Sequence, residues 1–415
     1  MNLWIRALYR SQPAWLRRLE VKALARGLAR PLDPARATLP GDVVVVGFLG
    51  TASGLGESAR HMLRRIRAAG VTAHGANVSR FAAMEDFDAG PLWPEQAAPG
   101  GLAILHVNPD ILNLVLAAIG RRRLRSRHVV GYWFWELDVL PPKWIRALRC
   151  VDEIWAPSRF IADAVAKALP GRAVHVLPLP FDAASQPMVP RRDPLPQFQG
   201  RPVVLFAYDV RSTLARKNPE AVVEAFRRAT EGDANPVLVL KANNESAWPG
   251  ARDHLERAIA GMPNVHVIRD VMSEDGIKDL IARADVVMSL HRAEGFGLLL
   301  AEAMAAAKPV IATDWSGSRD FMSPECSVLV PCKLVPVCDP QRIYDKYEAN
   351  WAEPDIAFAA EALRRLLRDP SERQRLGAAA RSHVLAFFAP ENWIKTLPDV
   401  FWRTLTDAAK GRSED

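Results

Sequence analysis

The run His291-Arg292-Ala293-Glu294-Gly295-Phe296-Gly297-Leu298 follows an apolar segment ending at Leu290 and leads into Leu299-Leu300-Ala301-Glu302. Its residue types suit an anionic guest. Gly295 and Gly297 let the backbone approach a ligand closely, and a helix opening at Leu298 would turn unpaired N–H groups toward a diphosphate. Glu302, inside that helix, has two oxygens that can accept from the vicinal hydroxyls of a ribose. Glu294 stays at the strand end, nearer a sugar. A second run, Asp209 to Pro219, carries Arg211, Arg216 and Lys217 between a strand and a helix. Fixed cations at a sheet's carboxyl edge can neutralise a departing diphosphate without a metal ion. Alone, the second run reads better as a solvated basic turn; its placement at the same edge as Glu294 reverses that preference.

Two further runs are rich in small residues. Ser316 and Gly317 follow the strand ending at Thr313, and their amides either line the same pocket or form a plain polar turn. Gly54 and Gly56 lie in a glycine-containing loop ahead of the helical stretch at 57–69. This G-x-G fragment lacks the third glycine and the acidic partner of a dinucleotide fingerprint, so a loop touching phosphate or acceptor is the better reading. On the opposite wall the candidates are His106 and Asn108, at the end of an apolar strand, and Glu136 in an aromatic segment. Tyr132, Trp133, Phe134 and Trp135 exceed what one sugar needs for stacking and read mostly as core.

These residues need a scaffold that ends many strands at one edge. Continuous apolar runs at 43–48, 102–107 and 128–134 alternate with helical stretches at 57–69 and 160–169, the latter capped by Ser158. A segment with seven prolines, 178–202, interrupts the pattern. It restarts with strands at 203–207, 237–241, 265–268, 286–290 and 310–313, and with helices at 221–229, after Ser273, and at 298–306. Helices are expected from Pro354 to 368, over 371–386 and from Pro390. Strands alternating with helices mean parallel sheets covered on both faces. The division expected is a basic helical arm and linker (1–40), a first Rossmann-like domain (41–190), a second (191–385) and a C-terminal helix returning to the first domain (386–415).

A chain of 415 residues calls for two domains of this kind. The net charge of +7 is concentrated at one end: residues 1–32 hold Arg6, Arg10, Arg17, Arg18, Lys22, Arg26 and Arg30 against Glu20. Such an arm suits an anionic membrane interface or, equally, docking on its own domain. Neither it nor the arginine cluster at 121–127 accompanies a nucleic-acid module. No apolar run reaches 18 residues and no secretory signal is recognisable, so a cytoplasmic location is expected. The spacing of Cys326, Cys332 and Cys338 is not that of a zinc site, and with Cys150 they read as reduced thiols. No D-x-D pair stands out, and no cofactor or metal is expected.

The stretch 287–321, with Glu294 and Glu302, resembles family 4 of the retaining GT-B glycosyltransferases. GLGESAR (54–60), GYWFWEL (131–137), VDEIWAPSRF (151–160), RKNP (216–219) and WAEPD (351–355) resemble bacterial polysaccharide mannosyltransferases of that family. The resemblance implies two Rossmann-like doubly wound domains facing across a cleft. It implies that Glu302 holds the donor ribose, that Glu294 contacts the transferred sugar, and that Arg216 and Lys217 hold the diphosphate. Phe296, Gly297 and Leu298 would border the donor. The family's usual arginine five residues before the lysine is Ser212 here, so Arg216 or Arg211 must supply that charge. The expected reaction is metal-independent transfer of mannose from GDP-mannose, with UDP-sugars as the nearest alternative. The expected acceptor is a lipid-linked saccharide of a cell-surface polysaccharide, met at the inner face of the plasma membrane. A nucleotide-binding scaffold without turnover is the alternative from another class; a phosphorylase would need a pyridoxal-phosphate lysine motif that is not recognisable.

Overall fold

The computed structural model describes residues 38–51, 53–81 and 90–407; residues 1–37, on which most of the expected basic arm falls, lie outside them. The first half alternates β1 (Asp42–Gly47), α1 (Gly54–Ala68), β2 (Ala73–Asn77), β3 (Gly100–His106), α2 (Pro109–Ile119), β4 (Ser126–Tyr132), α3 (Pro142–Ala147), β5 (Glu153–Ala156), α4 (Arg159–Ala168) and β6 (Val174–Val176). Its six strands are parallel, in the order β2-β1-β3-β4-β5-β6. Val43 and Val45 pack into one layer beside the sheet and Val44 and Val46 into the other, all fully buried. That is why the strand is an unbroken apolar run rather than an alternating one.

The second half repeats the plan with β7 (Val203–Asp209), α5 (Leu214–Lys217), α6 (Pro219–Ala229), β8 (Val237–Asn243), α7 (Ala251–Ala258), β9 (Val265–Ile268), α8 (Glu274–Arg283), β10 (Val286–Ser289), α9 (Leu298–Ala305), β11 (Val310–Thr313) and β12 (Val328–Val330). The strand order is β12-β11-β10-β7-β8-β9, again parallel. Strand order reverses between β1 and β3 in the first sheet and between β7 and β10 in the second. In open α/β sheets the crevice outside such a reversal is where ligands bind. Ser158 and Ser273 cap their helices as their positions predict, accepting from the amides of Ile161 and Gly276.

An antiparallel hairpin, β13 (Cys332–Pro336) with β14 (Asn350–Pro354), follows and departs from the sequence reading. Pro354 closes β14 opposite Cys332 instead of opening a helix, and Asp355 caps α10 (Ile356–Arg368) by accepting from the Phe358 amide. A proline lacks the ladder donor and so fits the last position of a two-stranded edge. Tyr344, Ala349 and Trp351 join Trp133 and Trp135 in the core beneath the first sheet. After α11 (Pro370–Phe387), α12 (Pro390–Lys395) and α13 (Asp399–Arg403) lay Trp393, Leu397 and Phe401 against Val43 and Val45. The chain therefore passes between the halves twice, and the two passages touch: the Trp393 indole N–H donates to the Pro178 carbonyl at 2.9 Å. Arg65 on α1 donates to the carbonyls of both Phe181 (3.0 Å) and Phe388 (3.4 Å).

Among the described residues no helix is long and apolar enough to cross a membrane. Cys150 and Cys326 are buried, Cys332 is half-buried and Cys338 is exposed.

Candidate active site

The loops after β7 and β10 meet at the reversal of the second sheet. Lys217 Nζ donates to Glu294 Oε1, and Arg216 Nη1 lies 3.4 Å from Glu294 Oε2. Burial alone would raise the Glu294 carboxyl, but the Lys217 and Arg216 charges outweigh it and hold the group at about 2. Arg216 is itself enclosed. Its guanidinium donates to Ala293 O (2.7 Å) and Ser212 O (3.0 Å), and its Nη2 lies 3.9 Å from Glu136 Oε1. Burial opposes its charge, yet Glu136 and Glu294 together hold the proton more firmly than usual. Arg211 is exposed on the preceding turn, and the arginine set beside Glu294 is Arg216.

Local strain sets this geometry. Thr213 starts α5 at φ 61°, a genuine outlier for a β-branched residue, and its hydroxyl accepts from the Arg216 amide at 3.2 Å. The Glu294 backbone is clamped by the loop after β11. Ser316 Oγ accepts from Glu294 N (2.8 Å), and Gly317 N donates to Glu294 O (2.9 Å). Gly317 is required by packing, since a Cβ there would lie 2.2 Å from Gly295 O. Gly297, at φ 94°, precedes α9 and leaves that helix without a side-chain cap. Its first amides are thus open to a ligand. The Phe296 side chain packs on Phe321 and Phe388 in the core, so it can offer a ligand only its backbone. Leu298 is half-buried at the helix start.

Glu302 lies on α9 and is buried, its nearest charges being Glu57 on α1 and Lys278 and Glu274 on α8. Burial, reinforced by Glu57, raises its carboxyl well above the ordinary range. His291, near Glu294 and Lys217, is fully buried, and burial lowers the imidazole to about 4. The ring bridges Ser289 Oγ (3.2 Å) and Trp315 O (3.4 Å).

On the facing wall His106 ends β3 and stacks on Tyr132 with 4.4 Å between ring centroids. Its Nδ1 lies 3.5 Å from Ser58 Oγ, its Nε2 has no partner among the described residues, and burial lowers it to about 3. The ring is therefore neutral at physiological pH. Asn108 uses both ends of its amide on the backbone of Phe134, at 2.9 and 3.0 Å, and so positions the aromatic segment. Gly54 and Gly56 differ in kind. A Cβ at Gly56 would meet Phe48 O at 2.5 Å, whereas one at Gly54 meets nothing within 4 Å and faces open space.

The walls are in contact. Ser158 Oγ donates to Gly295 O at 2.7 Å, Arg159 N donates to Asp320 Oδ2 at 2.7 Å, and Tyr344 hydroxyl donates to Glu136 Oε2 at 2.7 Å. Sequence reasoning missed Tyr344, Glu57 and the second bond of Ser158. Glu57 lay inside the quoted GLGESAR stretch; Tyr344 sits in a stretch without periodicity and gave no signal. Among the described residues no group of three His, Cys, Asp or Glu side chains is placed to hold a metal ion.

Residues 201–350 match the family model described as glycosyl transferases group 1. The N-acetyl-alpha-D-glucosaminyl L-malate synthase of Bacillus anthracis is 26% identical over 200 residues, which is 47% of this chain and 45% of that protein. The trehalose synthase of Rubrobacter xylanophilus is 24% identical over 177 residues, 41% of this chain and 37% of its own length. The matches thus span less than half of either relative. Among solved structures, Anabaena Alr3699/HepE in complex with UDP-glucose superposes with a TM-score of 0.61 at 15% identity, covering 88% of this chain and 98% of that one. A glycosyltransferase from Rickettsia africae gives 0.61 at 13% identity, over 90% and 100%. The chain has the two-domain α/β GT-B fold, and its second half is similar to the group 1 glycosyl transferases.

Proposed function

We propose that this protein is a retaining glycosyltransferase that moves a hexose from a nucleoside diphosphate to a saccharide acceptor. The observation carrying the reading is the Glu294–Lys217–Arg216 cluster at the reversal of one sheet; neutral His106 ends β3, beside the reversal of the other. Glu302, buried and raised by its surroundings, would gain two hydroxyl donors from a ribose. Lys217 and the open helix start at Gly297 would take the diphosphate. Arg216 is too enclosed for that contact and instead positions Glu294 and Lys217. Ser316 and Gly317 border the donor by fixing Glu294; Gly54 borders the acceptor side.

In the reaction the acceptor hydroxyl oxygen bonds to the anomeric carbon as the bond to the phosphate oxygen breaks. The proton passes to that phosphate oxygen, and the nucleoside diphosphate leaves against Lys217. A carboxylate held at about 2 between two cations is a weak nucleophile, which supports attack from the leaving-group face over a double displacement through Glu294. Cations from side chains make the transfer independent of metal. GDP-mannose is the donor proposed from the motif resemblance. The UDP-glucose bound by the Anabaena protein keeps UDP-sugars as the alternative. The acceptor proposed is a lipid-linked saccharide of a surface polysaccharide. Residues 1–30 would bring the enzyme to the anionic inner face of the plasma membrane.

The test is a thermal-shift panel of GDP, UDP, ADP and their sugar conjugates on the wild type and on Glu302→Ala. A ligand at 100 times its Kd stabilises the native state by about 2.7 kcal/mol. A shift with one base, lost in the variant, supports the reading. No shift with any nucleotide in a folded protein replaces it with a scaffold without turnover. Sedimentation with anionic vesicles, with and without residues 1–32, tests the membrane contact.

A further inference from the structure

We infer that the chain carries a second saccharide-binding site, for one pyranose unit, in a cavity separate from the proposed donor pocket. The choice of a sugar as occupant rests on the transferase reading above. The cavity holds about 280 Å³ between the β13–β14 hairpin and the segments that begin α6 and α7, and neither Lys217 nor Glu294 lines it. Its flat apolar surfaces are half-buried Trp248 and exposed Pro336, with the buried Trp351 also in its lining, and its polar groups include Glu220, His254 and Glu353.

These groups are already arranged. Trp248 stands edge-on to His254, with 6.2 Å between ring centroids, and His254 Nε2 lies 2.6 Å from Glu220 Oε1. Glu353 accepts from Arg292 Nε at 2.7 Å and from its Nη2 at 3.1 Å. Trp351 is buried, and its indole N–H has no partner among the described residues. Flat ring faces match the C–H face of a pyranose, and carboxylate and imidazole atoms take its hydroxyls. The volume is at the low end for ligand sites and fits one ring. Two lining carboxylates, with Arg292 already paired to Glu353, disfavour a diphosphate.

The site bears on the reaction through its lining. Gln341 Oε1 accepts from Leu214 N (2.6 Å) and its Nε2 donates to Val210 O (2.9 Å), while Arg292 N donates to Arg216 O (2.8 Å). An occupant thus rests on the residues that hold the Lys217 segment in place.

Ligand-detected saturation-transfer NMR on the full chain tests this, using the methyl α-glycosides of mannose, glucose and N-acetylglucosamine, each with and without excess GDP and UDP. The result expected is a signal from at least one glycoside that persists with nucleotide present and falls about fivefold or more in Trp248→Ala. The same variant should keep any nucleotide-induced thermal shift of the wild type. If Trp248→Ala does not fold, Glu220→Gln replaces it with the same expectation. Absence of signal from all three glycosides, displacement by nucleotide, or an unchanged signal in the folded variant overturns the inference. A nucleotide shift without glycoside binding removes this site alone; glycoside binding without any nucleotide shift keeps the site and removes the transferase reading.

Discussion

The Tyr344 hydroxyl donates to Glu136 Oε2 at 2.7 Å, joining residues 208 positions apart, and Glu136 Oε1 in turn lies 3.9 Å from Arg216. One carboxylate on the first half is thereby fixed from two directions by the second. Burial, reinforced by Glu136, pushes the Tyr344 phenol well up, so it remains a donor throughout the working range. Tyr344→Phe should lower the unfolding free energy, or the stability of the closed arrangement, by about 1.5–3 kcal/mol, the range for a hydrogen bond to a charged group. Urea denaturation together with hydrogen exchange over 332–354 checks it. Unchanged values in both would mean the bond adds nothing.

Lys217→Ala should keep the fold and lose turnover by about 100- to 1000-fold, as removal of one preorganised charge-stabilising group does. Lys217→Arg should recover part of the loss. Donor hydrolysis or transfer kinetics measure this, and loss of donor affinity with unchanged kcat would assign Lys217 to ground-state binding instead.

The glycines predict opposite outcomes. Gly317→Ala places a Cβ against Gly295 O and should cost about 1–3 kcal/mol of stability through overpacking beside Glu294. Gly54→Ala meets open space at the first turn of α1 and should leave stability unchanged or raise it by up to about 1 kcal/mol. If Gly54 borders the acceptor, that variant loses turnover while melting at or above the wild-type temperature.

Stability should rise with pH between about 4 and 6.5. His106 and His291 are held near 3 and 4 in the folded chain, mainly by burial, so the unfolded chain binds more protons in that window. Their stabilisation is complete above the ordinary histidine value and is lost as the pH falls toward the folded values. Two protons give a slope of at most roughly 2.7 kcal/mol per pH unit. Glu294 adds a loss with the same sign below about 4.5, whereas the raised Glu302 opposes it by losing stability as pH rises. Denaturant titrations at pH 5 and 7 should show the slope, reduced by about half in His106→Gln; an equal slope in that variant would mean His106 is not the group titrating.

The two doubly wound halves were legible because their strands are buried on both faces and leave unbroken apolar runs such as Val43 to Val46 and Val203 to Phe206. The cluster was legible where a residue is fixed by its distance from a strand end, as Glu294 and Lys217 are. The contact of Glu136, Arg216 and Tyr344 was not, because it joins three segments remote in sequence and depends on how the halves close. The hairpin was missed for a related reason. Its buried residues, Tyr344, Ala349, Trp351 and Ala352 among them, follow neither a strand nor a helix period, and Pro354 carries the same signal at the end of a strand as at the start of a helix.

The two passages between the halves, held together by the Trp393–Pro178 bond, constrain any rotation of one half against the other. A single thread would let one half swivel about it in any direction. Two threads side by side define an axis, as the paired pins of a door do, and leave one easy rotation. Any such rotation must also part the Ser158, Arg159 and Tyr344 contacts and the core that Tyr344 and Trp351 share with Trp133 and Trp135.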